Sequence, residues 1–343
     1  MKKIIGILLA GAMAFSAFAA DVSAKVNLEG ELLNITDGAV KALNINKPSD
    51  QHWNPIMNLA INGDQAGDEF AVFTGATESA GSWNTGFGVH VNRFKIWFSP
   101  LDGLKFNFGL IGFGLNQEQI LWSKSESNPE GYGYGVSYSN SGFGVDLAFL
   151  PGWDNNWLDM PKGGDVAIAE TTLKLEYNAD FGKINALLDA KETFKDIKFG
   201  VGYANNFAGI NMFANVLGYV NNGFNKLRVE LYAAQNIDAF GWKLFLAPNI
   251  NLGDAVAVDL QLIARADYNF GAANVYLLIG GDGLYGRQGC KFGLVNNKDF
   301  TMTVAPGVNG NVGGASWDVS LKFDIVKGSP IIISVPVVFS MGW

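Results

Sequence analysis

The chain has 343 residues, a formal net charge of -8, one cysteine and 43 glycines, and only 16% of its residues are charged. The acidic balance argues against a nucleic-acid partner, and a single cysteine excludes an internal disulfide framework. A soluble secreted domain usually has about a quarter of its residues charged, so this composition favours a chain with many tight turns and one surface that does not face water.

Residues 1–19 have the pattern of a secretory signal peptide. Lys2 and Lys3 precede a short apolar stretch, and residues 17–19 read Ala-Phe-Ala, so we expect cleavage after position 19. A membrane anchor is the alternative, but the apolar stretch is short and an acidic residue follows it at once. No later run approaches the roughly 18 consecutive apolar residues that a membrane helix needs. We therefore take residues 20–343 as one exported domain.

Apolar residues recur at every second position along the mature chain, whereas helical spacing is nearly absent. Residues 172–177 read TLKLEY, and residues 317–325 read WDVSLKFDI. In each segment one face is apolar and the other is polar or charged. This alternation predicts β-strands that separate an apolar surface from a polar one.

Turns rich in Asn, Asp and Gly separate pairs of these strands. They lie at 178–182, 205–209, 236–241 and 268–271. These residue types tolerate the positive φ angles that tight hairpins need, and the connections between the tight turns are of uneven length. The pattern predicts a hairpin array of about 18 strands, with 16 as the alternative, and an even count places both chain ends on the short-turn side. We also expect bulges beside Arg93 and at Pro336.

A soluble β-sandwich also alternates, but it uses about seven to ten strands. The segments here are nearly twice as many, and strands of roughly 9 to 13 residues match a tilted strand that crosses a bilayer. Aromatic residues lie at or beside the tight turns, where an interfacial girdle would lie. They are Trp97, Phe98, Phe143, Tyr177, Phe181, Phe207, Phe240, Trp242, Tyr268, Phe270 and Trp343. We predict an all-β fold, a transmembrane antiparallel up-and-down β-barrel.

The final strand places an aliphatic or aromatic residue at every second position, namely Val335, Val337, Phe339, Met341 and Trp343. The signal peptide, the hairpin array and this final strand together resemble the organisation of bacterial outer-membrane porins. The hairpin at 97–106 is similar in style to hairpins of spirochaete porin-like proteins. The resemblance implies an outer-membrane location, a lipid-bilayer environment, insertion by the barrel-assembly machinery, and a homotrimer as one assembly state. Most members end in Phe, so the terminal Trp is a departure.

Barrels of this strand number leave an aqueous channel, so the sequence predicts a porin for passive diffusion of small hydrophilic solutes and ions. Alternation assigns to the lumen face Glu29, Glu31, Lys105, Asp146, Lys174, Glu176, Lys183, Asp189, Lys198, Arg228, Glu230, Lys243, Asp259, Arg265, Asp267, Asp318, Lys322 and Asp324. Acidic and basic residues are nearly balanced, so we expect weak cation preference at most. The alternative function is a surface adhesin or a structural barrel without significant flux; the modest loop lengths favour a pore.

The connection at 114–130 is a candidate constriction loop. In general porins the third extracellular loop folds inward, and the resemblance extends that expectation to this connection. The charged residues that would line the constriction are Glu118, Glu126 and Glu130 on the connection and Arg93 and Lys95 on the preceding strand. An ordinary external loop, or an extra strand at 115–122, is the alternative.

Catalytic and metal sites are not indicated. His52 and His90 are too few for a zinc site, no Gly-x-Ser-x-Gly motif is present, and residues 154–159 lack the twelve-residue pattern of a calcium loop. We predict no enzymatic activity, no metal and no cofactor. A TonB-dependent transporter would need a plug domain and a longer chain. A long-chain fatty-acid channel would need an N-terminal hatch and apolar pockets in the lumen, and residues 20–28 are too short and too regular for a hatch. Neither class of outer-membrane protein is therefore favoured.

Overall fold

The computed structural model describes residues 21–42, 56–62, 66–76, 87–117, 130–150, 170–191, 194–253, 255–280, 290–296 and 300–342. Their regular elements are β1 (Asp21–Thr36), β2 (Ala39–Ala42), β3 (Ile56–Asn62), β4 (Ala66–Ala76), β5 (Phe87–Leu101), β6 (Leu104–Gly112), β7 (Glu130–Asn140), β8 (Phe143–Leu150), β9 (Glu170–Ala179), β10 (Gly182–Lys191), β11 (Asp196–Phe207), β12 (Ile210–Asn221), β13 (Phe224–Ile237), β14 (Phe240–Leu252), β15 (Val256–Asn269), β16 (Asn274–Ile279), β17 (Cys290–Val295), β18 (Phe300–Val312), β19 (Ala315–Ser320), β20 (Lys322–Val326) and β21 (Ile332–Gly342). Within these residues, no helix is long and apolar enough to span a membrane.

The strands form one closed antiparallel sheet. Lys25 of β1 pairs with Gly342 of β21, and the ladder continues to Ile35 opposite Ile333, so the last strand closes the sheet on the first. Three positions of the wall are each shared by two consecutive strands, because β1 pairs with both β2 and β3, β15 with both β16 and β17, and β18 with both β19 and β20. The 21 strands of the sheet therefore fill 18 positions in the barrel wall. The predicted up-and-down barrel and its preferred strand count are confirmed.

The two ends of the barrel differ. At one end of the barrel, β1 begins, β21 ends and the expected tight hairpins lie. We call this the turn end. Positive φ angles occur there at Gly103, Gly142, Ala208 and Asp238. At Gly142 (φ 84°) a side chain would also collide with the next hairpin, because its Cβ would lie 2.5 Å from the carbonyl oxygen of Asn178. The opposite end, the loop end, carries the connections that are long in sequence.

Both expected irregularities are present. The register between β4 and β5 shifts between Ala71 and Val72, whose partners are Arg93 and Val91, so β5 carries one extra residue beside Arg93. Beside Pro336 the register between β1 and β21 also shifts, but the extra residue is in β1, between Glu31 and Asn34. The prediction was therefore right about the place, and the bulge belongs to the partner strand of the proline.

The outer face carries the aromatic residues expected near the turn end. Exposed rings there include those of Phe98, Phe143, Tyr177, Phe181, Phe207, Phe240, Tyr268 and Phe270. Trp97 was wrongly assigned to this girdle. It pairs with Asn107 on the inner face, and the Lys105 ammonium lies 4.1 Å from the centroid of its ring. Successive residues of a strand point to opposite faces, which is why the adjacent aromatic residues at 97 and 98 divide between the inner and the outer side. Trp343 lies outside the described residues.

The inner face is not uniformly polar. Apolar residues from β12 to β18 form one buried cluster that consists of Phe213, Tyr232, Ala234, Phe245, Ala247, Ile263, Tyr276, Leu278 and Ala305. The Phe213 and Tyr232 rings stack at 5.0 Å between centroids. These residues share their phase with the charged inner positions, so they face inward. Charge patterning alone, which assigned the lumen face, did not indicate this apolar patch.

Candidate channel lumen

The charged residues of the inner wall are organised as ion pairs. Lys174 Nζ lies 2.9 Å from Glu176 Oε2, and Lys322 Nζ lies 2.9 Å from Asp324 Oδ2. Arg265 Nη2 contacts Asp267 Oδ1 at 2.6 Å. Partners in these pairs sit two residues apart on one strand, so alternation brings both onto the same face. Because opposite charges neighbour one another, the wall carries no large field of one sign.

A buried hydrogen-bonded chain, which we call the polar ladder (Asn215, Glu230, Arg228, Asn249 and Asp259), crosses four strands of the wall. Asn215 Nδ2 donates to Glu230 Oε2 at 3.1 Å, and Arg228 Nε donates to Glu230 Oε1 at 2.8 Å. Arg228 Nη1 then donates to Asn249 Oδ1 at 2.8 Å, and Asn249 Nδ2 donates to Asp259 Oδ1 at 2.8 Å. The side chains of Arg228 and Glu230 are 0% exposed. Such a chain ties β12 to β15 through interactions that are strong in a buried setting.

The start of the connection after β6 turns into the barrel. Phe113 packs against the inner-wall cluster of Ile111, Ala148 and Leu150, and Leu115 is buried with Leu187 and Leu217. Residues 115 and 116 of the connection therefore lie against the inner wall, whereas a constriction by the connection at 114–130 stays a prediction. An extra strand at 115–122 is absent from the part of it that is described, 115–117.

A cavity of about 580 Å³ opens between β10 and β14 at the loop end. We call it the mouth cavity. Its lining residues are Asp189, Lys191, Asp196, Ile197, Lys198, Tyr219, Val220, Asn221, Asn225, Lys226, Asn251 and Gly253. The Tyr219 ring lies between two ammonium groups, with Lys226 Nζ at 4.7 Å and Lys198 Nζ at 5.7 Å from its centroid. Two lysines beside an aromatic ring, with a third lysine and three asparagines elsewhere in the lining, give this cavity charged and polar groups that solvated ions and small polar solutes could contact.

The candidate lumen residues are distributed as follows. Lys105, Lys174, Glu176, Arg228, Glu230, Asp259 and Arg265 all lie on the inner wall. Within that group Arg228, Glu230 and Asp259 are buried in the polar ladder, so they contribute to the wall itself. Lys95 is half-buried on β5. Arg93 and Glu130 are placed by backbone alone, in β5 and at the start of β7, and Glu118 and Glu126 lie outside the described residues.

Sequence reasoning missed Leu115, Asn116, Asn185 and Asn215, which the fold brings together. Asparagine carries no charge, so charge patterning did not single it out. The available signal was the inner phase of Asn185 and Asn215, opposite a Gly-x-Gly at 200–202. Among the described residues, no group of three or more His, Cys, Asp or Glu side chains could hold a metal ion.

The final strand alternates between the two faces of the barrel wall. Phe339 and Met341 are exposed on the outer face, whereas Ser334 is buried on the inner one. Val335 and Val337 share the phase of Phe339, and Trp343 lies outside the described part of the chain. Alternation along β21 thus separates the apolar side from the lumen side up to its last described residues.

Comparison with known proteins finds likeness in solved structures only. No protein-family model and no curated protein matches the chain. Pseudomonas aeruginosa OccK1 (OpdK) aligns with a TM-score of 0.60 and 9% identity over 94% of this chain and 98% of that one. OccK2 (OpdF) of the same organism gives 0.57 and 10% over 94% and 97%, and Acinetobacter baumannii OccAB4 gives 0.56 and 10% over 94% and 98%. Crystal structures hold glucuronate with OccK2 and vanillate with OpdK. At these identities the likeness shows the fold, which is that of an outer-membrane porin-type β-barrel.

Proposed function

We propose that the protein is a porin-type channel of a bacterial outer membrane, through which small hydrophilic solutes and ions diffuse passively. One observation carries the proposal: a closed barrel of 18 wall positions has apolar side chains exposed outside and charged side chains inside. A barrel of about eight strands is filled by its own side chains, whereas a barrel of 16 to 18 strands leaves a channel. A twelve-residue strand such as β11 is long enough to cross a bilayer at a tilt.

The proposed setting follows from the same features. Outer-face residues such as Val201, which is 57% exposed, would meet lipid. The signal peptide at 1–19 would direct export, and Val335, Val337, Phe339, Met341 and Trp343 would form the signal read by the barrel-assembly machinery. A homotrimer remains a prediction of the family resemblance. The absence of enzymatic activity stays a prediction of the sequence.

Liposome swelling tests the proposal directly. Vesicles that contain the folded protein are expected to swell in isosmotic sugars at rates that fall with sugar size, because a water-filled bore passes small solutes faster than large ones. Folding is verified by a gel shift between heated and unheated samples, and protein-free vesicles are the control. If correctly folded protein swells vesicles no faster than this control, the channel proposal fails and the adhesin or structural alternative takes its place.

The mouth cavity leads to a prediction about ion preference. Replacing Lys198 and Lys226 by glutamine is expected to lower the anion-to-cation permeability ratio roughly twofold in dilute salt, because Asp189 and Asp196 then dominate the entrance. The effect should shrink at 1 M salt, where the Debye length is about 3 Å. The measurement is the reversal potential of single channels in a potassium chloride gradient, with glucuronate and vanillate as further test anions.

A matched variant separates local from net charge. The double variant Lys105→Gln with Lys243→Gln also removes two positive charges, but from the inner wall near the turn end, away from the mouth cavity. If this variant moves the reversal potential as far as the Lys198 and Lys226 replacement does, the entrance has no special role in selectivity.

A further inference from the structure

The first residues of the connection after β6 are buried although they belong to no strand. We call the segment 113–116 the latch. Leu115 is 5% exposed and Asn116 is 4% exposed. Loop residues usually remain at a surface because their backbone groups need partners. The latch instead lies against the inner wall, so its contacts must satisfy its polar groups there.

Asn116 makes four hydrogen bonds to two asparagines of the wall. Its Nδ2 donates to Asn185 Oδ1 at 3.5 Å and to Asn215 Oδ1 at 3.3 Å. In return, Asn185 Nδ2 donates to Asn116 Oδ1 at 3.0 Å, and Asn215 Nδ2 donates to the Asn116 carbonyl oxygen at 2.9 Å. Both polar atoms of the Asn116 side chain are therefore used, and one backbone carbonyl as well. This is a specific mode of attachment and not only apolar burial.

Two glycines of β11 provide the space for the latch. A Cβ on Gly202 would lie 2.8 Å from Asn116 Nδ2 and 2.5 Å from Asn215 Oδ1. A Cβ on Gly200 would lie 3.0 Å from Leu115 Cδ1 and 2.7 Å from Leu217 Cδ2. Both positions have the inward phase, between the side chains of β10 and β12. The missing side chains create a socket in the wall that is filled by Leu115 and Asn116.

The socket is held in place by the polar ladder. Asn215 Nδ2, which bonds the latch, also donates to Glu230 Oε2 at 3.1 Å, and Glu230 is paired with Arg228. The buried ion pair therefore fixes the orientation of the Asn215 carboxamide. An orientation fixed in advance reduces the entropy lost when Asn116 binds, so the socket is pre-organised.

We propose that Asn116 is a positioning residue that pins the latch in this socket, and that this attachment sets the open cross-section of the channel. The inference rests on the proposed channel function and deepens it. The latch runs from the end of β6 to inner side chains of β10 and β12, so its residues occupy space inside the barrel. A released latch would leave that space to water and ions, and the open cross-section would increase.

Single-channel conductance of Asn116→Ala tests the proposal. Loss of the side-chain hydrogen bonds should weaken docking about tenfold or more, and the mean conductance should rise about 1.5- to 3-fold as the bore widens. Asn116→Asp is nearly isosteric but offers oxygens to Asn185 Oδ1 and Asn215 Oδ1, so it should have the same effect. Asn107→Ala is the matched control, since Asn107 is a buried inner-wall asparagine outside the latch that bonds Ser137.

Asn185→Ala tests the same attachment from the wall side. The variant should raise the conductance. Combining it with Asn116→Ala should raise the conductance little further, because both substitutions release the same attachment of the latch to the wall. Unchanged conductance in folded Asn116→Ala and Asn116→Asp proteins, while the wild type conducts, would overturn the latch and leave the channel intact. A wild type that does not conduct would instead overturn the channel proposal itself. A gel shift identical to that of the wild type verifies folding of each variant.

Discussion

Replacing Arg228 by leucine is expected to lower the free energy of unfolding by about 3–5 kcal/mol, the largest effect that we anticipate from a single substitution. The guanidinium is fully buried and donates to Glu230 Oε1 and to Asn249 Oδ1, each at 2.8 Å. Leucine would leave the Glu230 carboxylate inside the wall without the Arg228 cation, and a buried charge that loses its ion-pair partner is costly even though Asn215 Nδ2 still donates to it. Equilibrium unfolding of the protein by guanidinium chloride, in lipid or detergent, measures the change in free energy.

Two further variants distinguish a buried pair from an ordinary one. Arg265→Leu removes the same kind of residue from a pair whose side chains are 22% and 23% exposed and whose guanidinium lies 4.1 Å from the centroid of the Tyr276 ring, so we expect a smaller loss of about 1–2 kcal/mol. The double variant Arg228→Met with Glu230→Gln removes both charges and should recover much of the loss. If Arg228→Leu and Arg265→Leu lower the free energy of unfolding equally, the burial of the polar ladder has no energetic consequence and this prediction is wrong.

Replacing Val136 by lysine should destabilise the barrel by about 2–4 kcal/mol if the site lies near the bilayer midplane, and less if it lies nearer an interface. Val136 pairs with Phe106 on β6 and Leu147 on β8, all in the outer-face phase. In a membrane, an ammonium group at this position would have to leave water for hydrocarbon. Unfolding in phospholipid vesicles measures the cost, and the yield of heat-modifiable protein in the outer-membrane fraction reports assembly.

The adjacent residue provides the matched control. Ser137 has the inner phase and pairs with Lys105 and Asp146. Lysine there would face the lumen between Lys105 and the Asp146 carboxylate and would lose the 3.4 Å hydrogen bond from Asn107 Nδ2, so Ser137→Lys should cost no more than about 1 kcal/mol. Equal losses for the two neighbours would mean that the two faces of β7 do not see different solvents, and the membrane-spanning interpretation would fail.

Local chain chemistry made the barrel predictable. Alternation of apolar and polar residues can be read from residues close in sequence. Asn, Asp and Gly at positions that need positive φ indicate the tight hairpins. The bulge beside Arg93 was visible as a change of phase within β5. The even strand count placed both chain ends at the turn end, and closure was expected because a sheet that crosses a bilayer cannot leave its edges unpaired. Each of these inferences uses neighbours within one strand or one hairpin.

The inner wall was less predictable because the lumen brings together residues distant in sequence. Asn116 meets Asn185 and Asn215 across separations of 69 and 99 residues. Alternation assigned Arg228 and Glu230 correctly to the inner face, but it could not show that they are buried there. Nor could it show that Phe245 and Ile263 join an inward apolar cluster. Facing inward in a barrel does not mean facing water.

The sequence by itself determined the hairpin array, its approximate strand number and the alternation of its two faces, because period and turn chemistry are local properties that add up along the chain. Only the tertiary structure decided the interior: which charges are buried as pairs, where the wall is apolar, and where the connection after β6 attaches. That division has a physical reason. Backbone pairing joins strands in order around the barrel, whereas contacts on the inner face depend on the register between strands and on a segment that belongs to no strand.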